Sequence, residues 1–113
     1  MKIENLCMKY FELFSNQDIE GLSELLADDI CLIDWEINEI GINNVITANK
    51  NIFNSVDSIY VEPKIICVKE NIAMCKIDII INKNLENEEH LKVIDILSFN
   101  DKDLISRISA YKQ

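Results

Sequence analysis

Glycine and proline are nearly missing from this chain, which has two of the first and one of the second in 113 residues. No flexible linker, low-complexity segment or internal repeat can be drawn from it, so residues 1–113 are expected to form a single domain around one core. No continuous apolar run approaches the roughly 20 residues that span a bilayer. The opening MKIENLCMKYFELF carries charges throughout, unlike a secretory signal. No C-x-x-C spacing occurs among the four cysteines. Cys7, Cys31, Cys67 and Cys75 lie in apolar segments and read as free thiols rather than disulfides or metal ligands. With His90 as the only histidine, a metal site is not expected, and no cofactor is expected either. Positive charge is scarce too. Eleven Lys and Arg stand against twenty Asp and Glu, and the resulting net charge of −9 repels nucleic acid and anionic membrane alike.

What remains is a globular composition, 49% hydrophobic and 27% charged, which argues against disorder and for a cytoplasmic protein. Residues 1–14 have helical spacing, with Ile3, Leu6, Cys7, Tyr10, Phe11 and Phe14 on one stripe. Asp18 is a good N-cap for a second helix that buries Ile19, Leu22, Leu25 and Leu26 and ends at Ala27-Asp28-Asp29. Residues 30–35 form a short strand, a loop runs to Gly41, and a third helix buries Ile42, Val45, Ile46, Ile52, Phe53 and Val56. Strands follow at 59–69, 72–81, 90–99 and 104–111, with Pro63 marking an edge or a bend. Residues 82–89 form a hairpin loop, whose acidic run 86–89 reads as solvated. Helices first and antiparallel hairpins after give an α+β domain with helices on one sheet face.

Alternation assigns the faces of two strands. Lys76 and Asp78 point outward, which turns Cys75, Ile77, Ile79 and Ile81 inward. In the next strand Leu91, Val93, Asp95, Leu97 and Phe99 share the core face. An aspartate there is costly unless it is paired, hydrogen-bonded or protonated. Asp95 either makes a structural hydrogen bond or carries a raised pKa and donates its own proton. Asp34 ends a strand in the run Cys-Leu-Ile-Asp-Trp, as a solvated carboxylate or, if Leu32 faces the core, as an inward one. Tyr10 lies on the first helix's buried stripe, where a core aromatic is the plain alternative. His90 lies on the face opposite Asp95, and Arg107, the only arginine, reads as a solvated strand residue.

The stretch Lys9-Tyr10, Asn16-Gln17-Asp18-Ile19-Glu20-Gly21-Leu22, Leu26-Ala27-Asp28-Asp29-Ile30 and Asp34 resembles the opening of the nuclear transport factor 2-like superfamily. It is most similar to the ketosteroid isomerase and SnoaL-like polyketide cyclase branches. The ending Val93-Ile94-Asp95-Ile96-Leu97-Ser98-Phe99, Leu104-Ile105 and Ala110-Tyr111 is similar to the same families' closing hairpin. The resemblance implies a cone-shaped fold in which three N-terminal helices pack on a curved, mostly antiparallel sheet around an apolar pocket. It also implies roles. Asp34 matches a general base that moves a proton beside a carbonyl, and Tyr10 and Asp95 match two donors to the enolate oxygen, Asp95 being protonated. Trp35 stands where the steroid enzymes have proline, and Asn49 aligns with a tyrosine that supports their first donor.

The expected function is therefore an enzyme of isomerase, cyclase or dehydratase type, with a non-catalytic small-molecule binding domain of the same fold as the alternative. Phe14, Trp35, Asn49 and Phe53 are expected to contact a hydrophobic ligand from the helices and the first loop. Cys75, Ile77, Val93 and Leu97 are expected to do so from the sheet. Ile80, Ile94 and Ile96 beside Met74 make the outer sheet face apolar, and a homodimer through that face is expected.

Overall fold

The computed structural model describes residues 2–113; Met1, where the expected first helix begins, lies outside them. Helix α1 (Lys2–Ser15) buries Cys7, Tyr10 and Phe11 on the expected stripe. Asp18 then caps α2 (Ile19–Leu25), its Oδ1 accepting the Gly21 N–H at 2.9 Å. A Cβ on Gly21 would lie 2.7 Å from Asp18 Oδ2 and 2.8 Å from Leu13 Cδ2, so the missing side chain lets α2 fold back against α1. Gly41, at φ 94°, starts α3 (Ile42–Asn54) from a conformation that side chains resist.

Strands β1 (Leu26–Ile33), β2 (Asn38–Ile40), β3 (Ile59–Lys69), β4 (Ile72–Ile81), β5 (Glu89–Phe99) and β6 (Ile105–Lys112) form one sheet, ordered β2-β1-β6-β5-β4-β3. Its neighbours are antiparallel except β1 and β6, which run parallel. The three helices cover one face of this curved sheet, as expected. Pro63 lies on edge strand β3, where the register against β4 shifts between Pro63 and Ile65. An edge strand accommodates both the missing N–H and the bulge.

Three expectations need correction. Ala27-Asp28-Asp29 does not end α2; it belongs to β1, which begins at Leu26 with extended backbone. Leu26 and Ala27 are buried while Asp28 and Asp29 are exposed, so alternation fails where the register against β6 shifts between Leu26 and Cys31. The loop before Gly41 contains β2, which pairs Cys31 with Ile40 and Ile33 with Asn38. Three residues of mixed polarity leave no periodic trace. Finally, α3 buries Val45, Asn49 and Phe53, so an amide occupies the middle of its core stripe.

The inward faces of β4 and β5 are the expected ones. Cys75 and Ile77, then Val93, Asp95, Leu97 and Phe99, are buried beneath the helices. Toward the β4–β5 turn the inner faces of these strands line a cavity, through Ile79, Ile81, Glu89 and Leu91.

Candidate functional site

The cavity has a volume of about 310 Å³ and lies between α1, α3 and the inner sheet face. Its walls are largely apolar, with Phe11 and Phe14 from α1, Ile77 and Ile79 from β4, and Val93 and Leu91 from β5. Tyr10, Asp34, Asn49 and Asp95 also line it, together with Glu36, Ser55, Glu89 and Lys112.

Tyr10 is set by the helical period that also buries Cys7 and Phe11. Its ring meets Phe11 edge-on at 5.5 Å and lies 6.0 Å from Phe14, which in turn packs on Phe53 at 4.9 Å. The hydroxyl has no hydrogen bond to any described residue. Burial, and then the charges of Asp95 and Asp34, push its pKa up, so the phenol keeps its proton.

Asp34 follows the last residue of β1 and builds the turn into β2. Its Oδ1 accepts the Glu36 and Ile37 N–H groups at 2.7 and 2.6 Å, and its own N–H donates to Ile37 O at 2.8 Å. One carboxylate oxygen is thus fixed by the turn, and Oδ2 has no partner among the described residues.

Asp95 pairs with Cys75 of β4 and Ala110 of β6 in the middle of the sheet. It is 7% exposed and makes no hydrogen bond with the described residues. No lysine or arginine forms an ion pair with it there. Burial first, and the Asp34 charge second, push its pKa up to about 7. Near neutrality much of this carboxyl is therefore neutral and can donate. An interior site with no cation and no bound N–H favours the uncharged acid.

Of the other expected contacts, Phe14, Trp35, Asn49, Ile77 and Val93 line the cavity, and Phe53, Cys75 and Leu97 do not. Phe53 stands behind the Phe14 ring. Cys75 and Leu97 face the core but lie beyond the cavity, in the sealed narrow end of the cone, where both are fully buried. There the hydrogen bond with Cys7, together with burial, holds the Cys75 thiol well above its usual range. Lys112 was not foreseen. It faces inward beside Val93, with its ammonium 5.3 Å from the Trp35 ring centroid at the mouth. The inward register of β6 is the signal that could have found it. Among the described residues, no group of three or more His, Cys, Asp or Glu side chains could hold a metal ion.

No protein-family model matches the chain, and no curated protein matches it. Solved structures do. A candidate ketosteroid isomerase from Kribbella flavida is similar at TM-score 0.82 and 18% identity, over 98% of this chain and 77% of that one. A candidate SnoaL-like polyketide cyclase from Shewanella denitrificans gives TM-score 0.87 at 11% identity, over 98% and 90%. A protein of ketosteroid isomerase-like fold from Catenulispora acidiphila, in complex with trimethylamine, gives 0.83 at 10%, over 94% and 83%. The chain therefore has the nuclear transport factor 2-like α+β fold shared by ketosteroid isomerase-like and SnoaL-like proteins.

Proposed function

We propose that the chain is a small-molecule enzyme that moves a proton between carbons beside a carbonyl, in the manner of an isomerase, cyclase or dehydratase. Asp34 is the base, using its uncommitted Oδ2 to take the proton from the carbon acid and return it at another atom. As the carbonyl becomes an enolate, Tyr10 and the neutral Asp95 donate to its oxygen. Apolar walls exclude water, which strengthens both hydrogen bonds where charge develops. The observation that carries this reading is Asp95: a buried carboxyl with no hydrogen bond or ion pair among the described residues, lining the same cavity as Tyr10 and Asp34. Most buried structural carboxyls have a donor or a cation beside them.

The test uses an enolate-mimicking phenol together with a β,γ-unsaturated ketone. Asp34→Asn should lower turnover by about 10²–10⁴-fold while phenol affinity stays within a few-fold, because the donors are intact. Full activity in Asp34→Asn, or no turnover by the native chain across a panel of enolisable ketones, overturns the enzyme reading. The second outcome favours a binding domain without turnover. That alternative has one support of its own, the trimethylamine held by the Catenulispora protein.

The working assembly is a homodimer closed through the outer sheet face. Met74 (52% exposed), Ile65 (53%), Ile72 (43%) and Tyr111 (58%) lie there, around the half-buried Ile94 and Ile96. An isologous contact between two copies covers such a patch without leaving another exposed. Four free cysteines and a net charge of −9 suit a reducing, cytoplasmic setting. No helix of residues 2–113 is long and apolar enough to cross a membrane.

A further inference from the structure

Asn49 is a buried polar residue of the cavity wall that the proton-transfer chemistry leaves without a task. Its place on α3 is the middle of the core stripe, one turn after Val45 and one turn before Phe53, where the helix would otherwise present an apolar side chain. It is 3% exposed, lines the cavity, and its carboxamide makes no hydrogen bond with any described residue, Tyr10 included. Other asparagines show what a structural role looks like. Asn82, also buried, accepts the Asp57 N–H at 2.7 Å, and Asn71 donates to Phe99 O at 2.6 Å. A carboxamide that lines a cavity and has no protein partner is free to bond what enters that cavity.

We propose that Asn49 is a specificity-determining residue, and that the ligand carries two oxygens: one at Tyr10 and Asp95, and a second hydroxyl or carbonyl oxygen facing α3. The inference rests on the proton-transfer reading of the same cavity and adds the substrate class. Volume limits that class further. An enclosed cavity of about 150 Å³ holds benzene, and this open one measures about 310 Å³, which one or two rings would fill. The ligand is thus a mono- or bicyclic hydroxyketone or diketone. A carboxamide can both donate and accept, so either kind of second oxygen satisfies it.

The experiment compares 2-naphthol with the set of dihydroxynaphthalene isomers by calorimetric titration, on the native chain and on Asn49→Leu. At least one dihydroxy isomer should bind the native chain about 10-fold tighter than 2-naphthol, as one added hydrogen bond allows. Asn49→Leu should abolish that preference, bind 2-naphthol as well as the native chain or better, and melt no lower. Uniform loss of both ligands, or a lower melting temperature with selectivity intact, makes Asn49 structural and overturns the inference. So does a native chain that binds 2-naphthol yet prefers no dihydroxy isomer, a result that leaves the proton-transfer reading standing. If no naphthol binds at all, both fall.

Discussion

Asp78 and Asp95 lie on adjacent strands, β4 and β5, but on opposite faces of the sheet. On the outer face Asp78 is flanked by cations: Lys92 Nζ lies 3.6 Å from its Oδ1, and Lys64 Nζ lies 4.0 Å from its Oδ2. On the inner face Asp95 has neither an ion pair nor a hydrogen bond among the described residues, and its pKa rises to about 7. Each of these strands carries one lysine, Lys76 on β4 and Lys92 on β5, and both lie on the outer face with Asp78. Cations stand beside the outer carboxylate, whereas the inner carboxyl has no ion pair among the described residues, the cavity's Lys112 lying over the Trp35 ring instead. That contrast separates a surface charge from a chemical group.

If the cavity is what permits an inward carboxyl, then moving one two residues along β5 should be ruinous. Leu97 shares the face of Asp95 but is fully buried in the sealed end, away from the cavity. Leu97→Asp should cost about 5 kcal/mol, because the acid finds neither water nor partner. Urea unfolding reads this directly, with a failure to fold as the extreme form of the same outcome. A loss below about 1 kcal/mol would mean that the inner face tolerates carboxyls anywhere, and the contrast would collapse.

Asp95 itself should leave a signature in the pH dependence of stability. Its folded pKa, about 7, lies above the ordinary 3.8, so the native state holds its proton more tightly than the unfolded chain does. Stability is then fullest below pH 4 as far as this group is concerned, and is lost as pH rises toward 7 and flattens above it. Integrated, the loss is about 4 kcal/mol. Asp95→Asn cannot ionise, so its stability minus that of the native chain should grow by up to about 4 kcal/mol between pH 4 and pH 8. Urea titrations of both proteins across that range isolate this group from the other carboxylates. A constant difference would show Asp95 ionising like a surface residue.

Much of this was legible before the fold was known. Helical spacing in residues 2–14 and the alternation of β4 and β5 located the core faces, because each pattern repeats often enough to exclude the other period. Asp95 stood out for the same reason, as the charged member of an otherwise apolar face. What escaped were features set by partners rather than by period. β2 exists because β1 offers it an edge, and β1 starts early because its pairing with β6 tolerates a register shift. Alternation also could not say where the core ends and the cavity begins. Cys75 and Leu97 face the same way as Ile77 and Val93, and only the distance between helices and sheet decides which of them a ligand can touch.

The outer face supplies the smallest effect and the last way to sharpen the contrast. In register across it run Cys67, Met74, Ile96 and Ser109, one from each of β3, β4, β5 and β6. Met74 is half-exposed at the centre of that row. If a second copy covers it, Met74→Lys brings two ammonium groups together across the two-fold axis and should halve the mass in solution, from twice 13.1 kDa to one chain. The fold of each chain should barely respond, by less than about 0.5 kcal/mol, since a lysine at this position is solvated once the partner leaves. Sedimentation at micromolar concentration together with urea unfolding reads both quantities. A native chain already monomeric there would remove the second copy from the outer face, while leaving the chemistry of the inner one untouched.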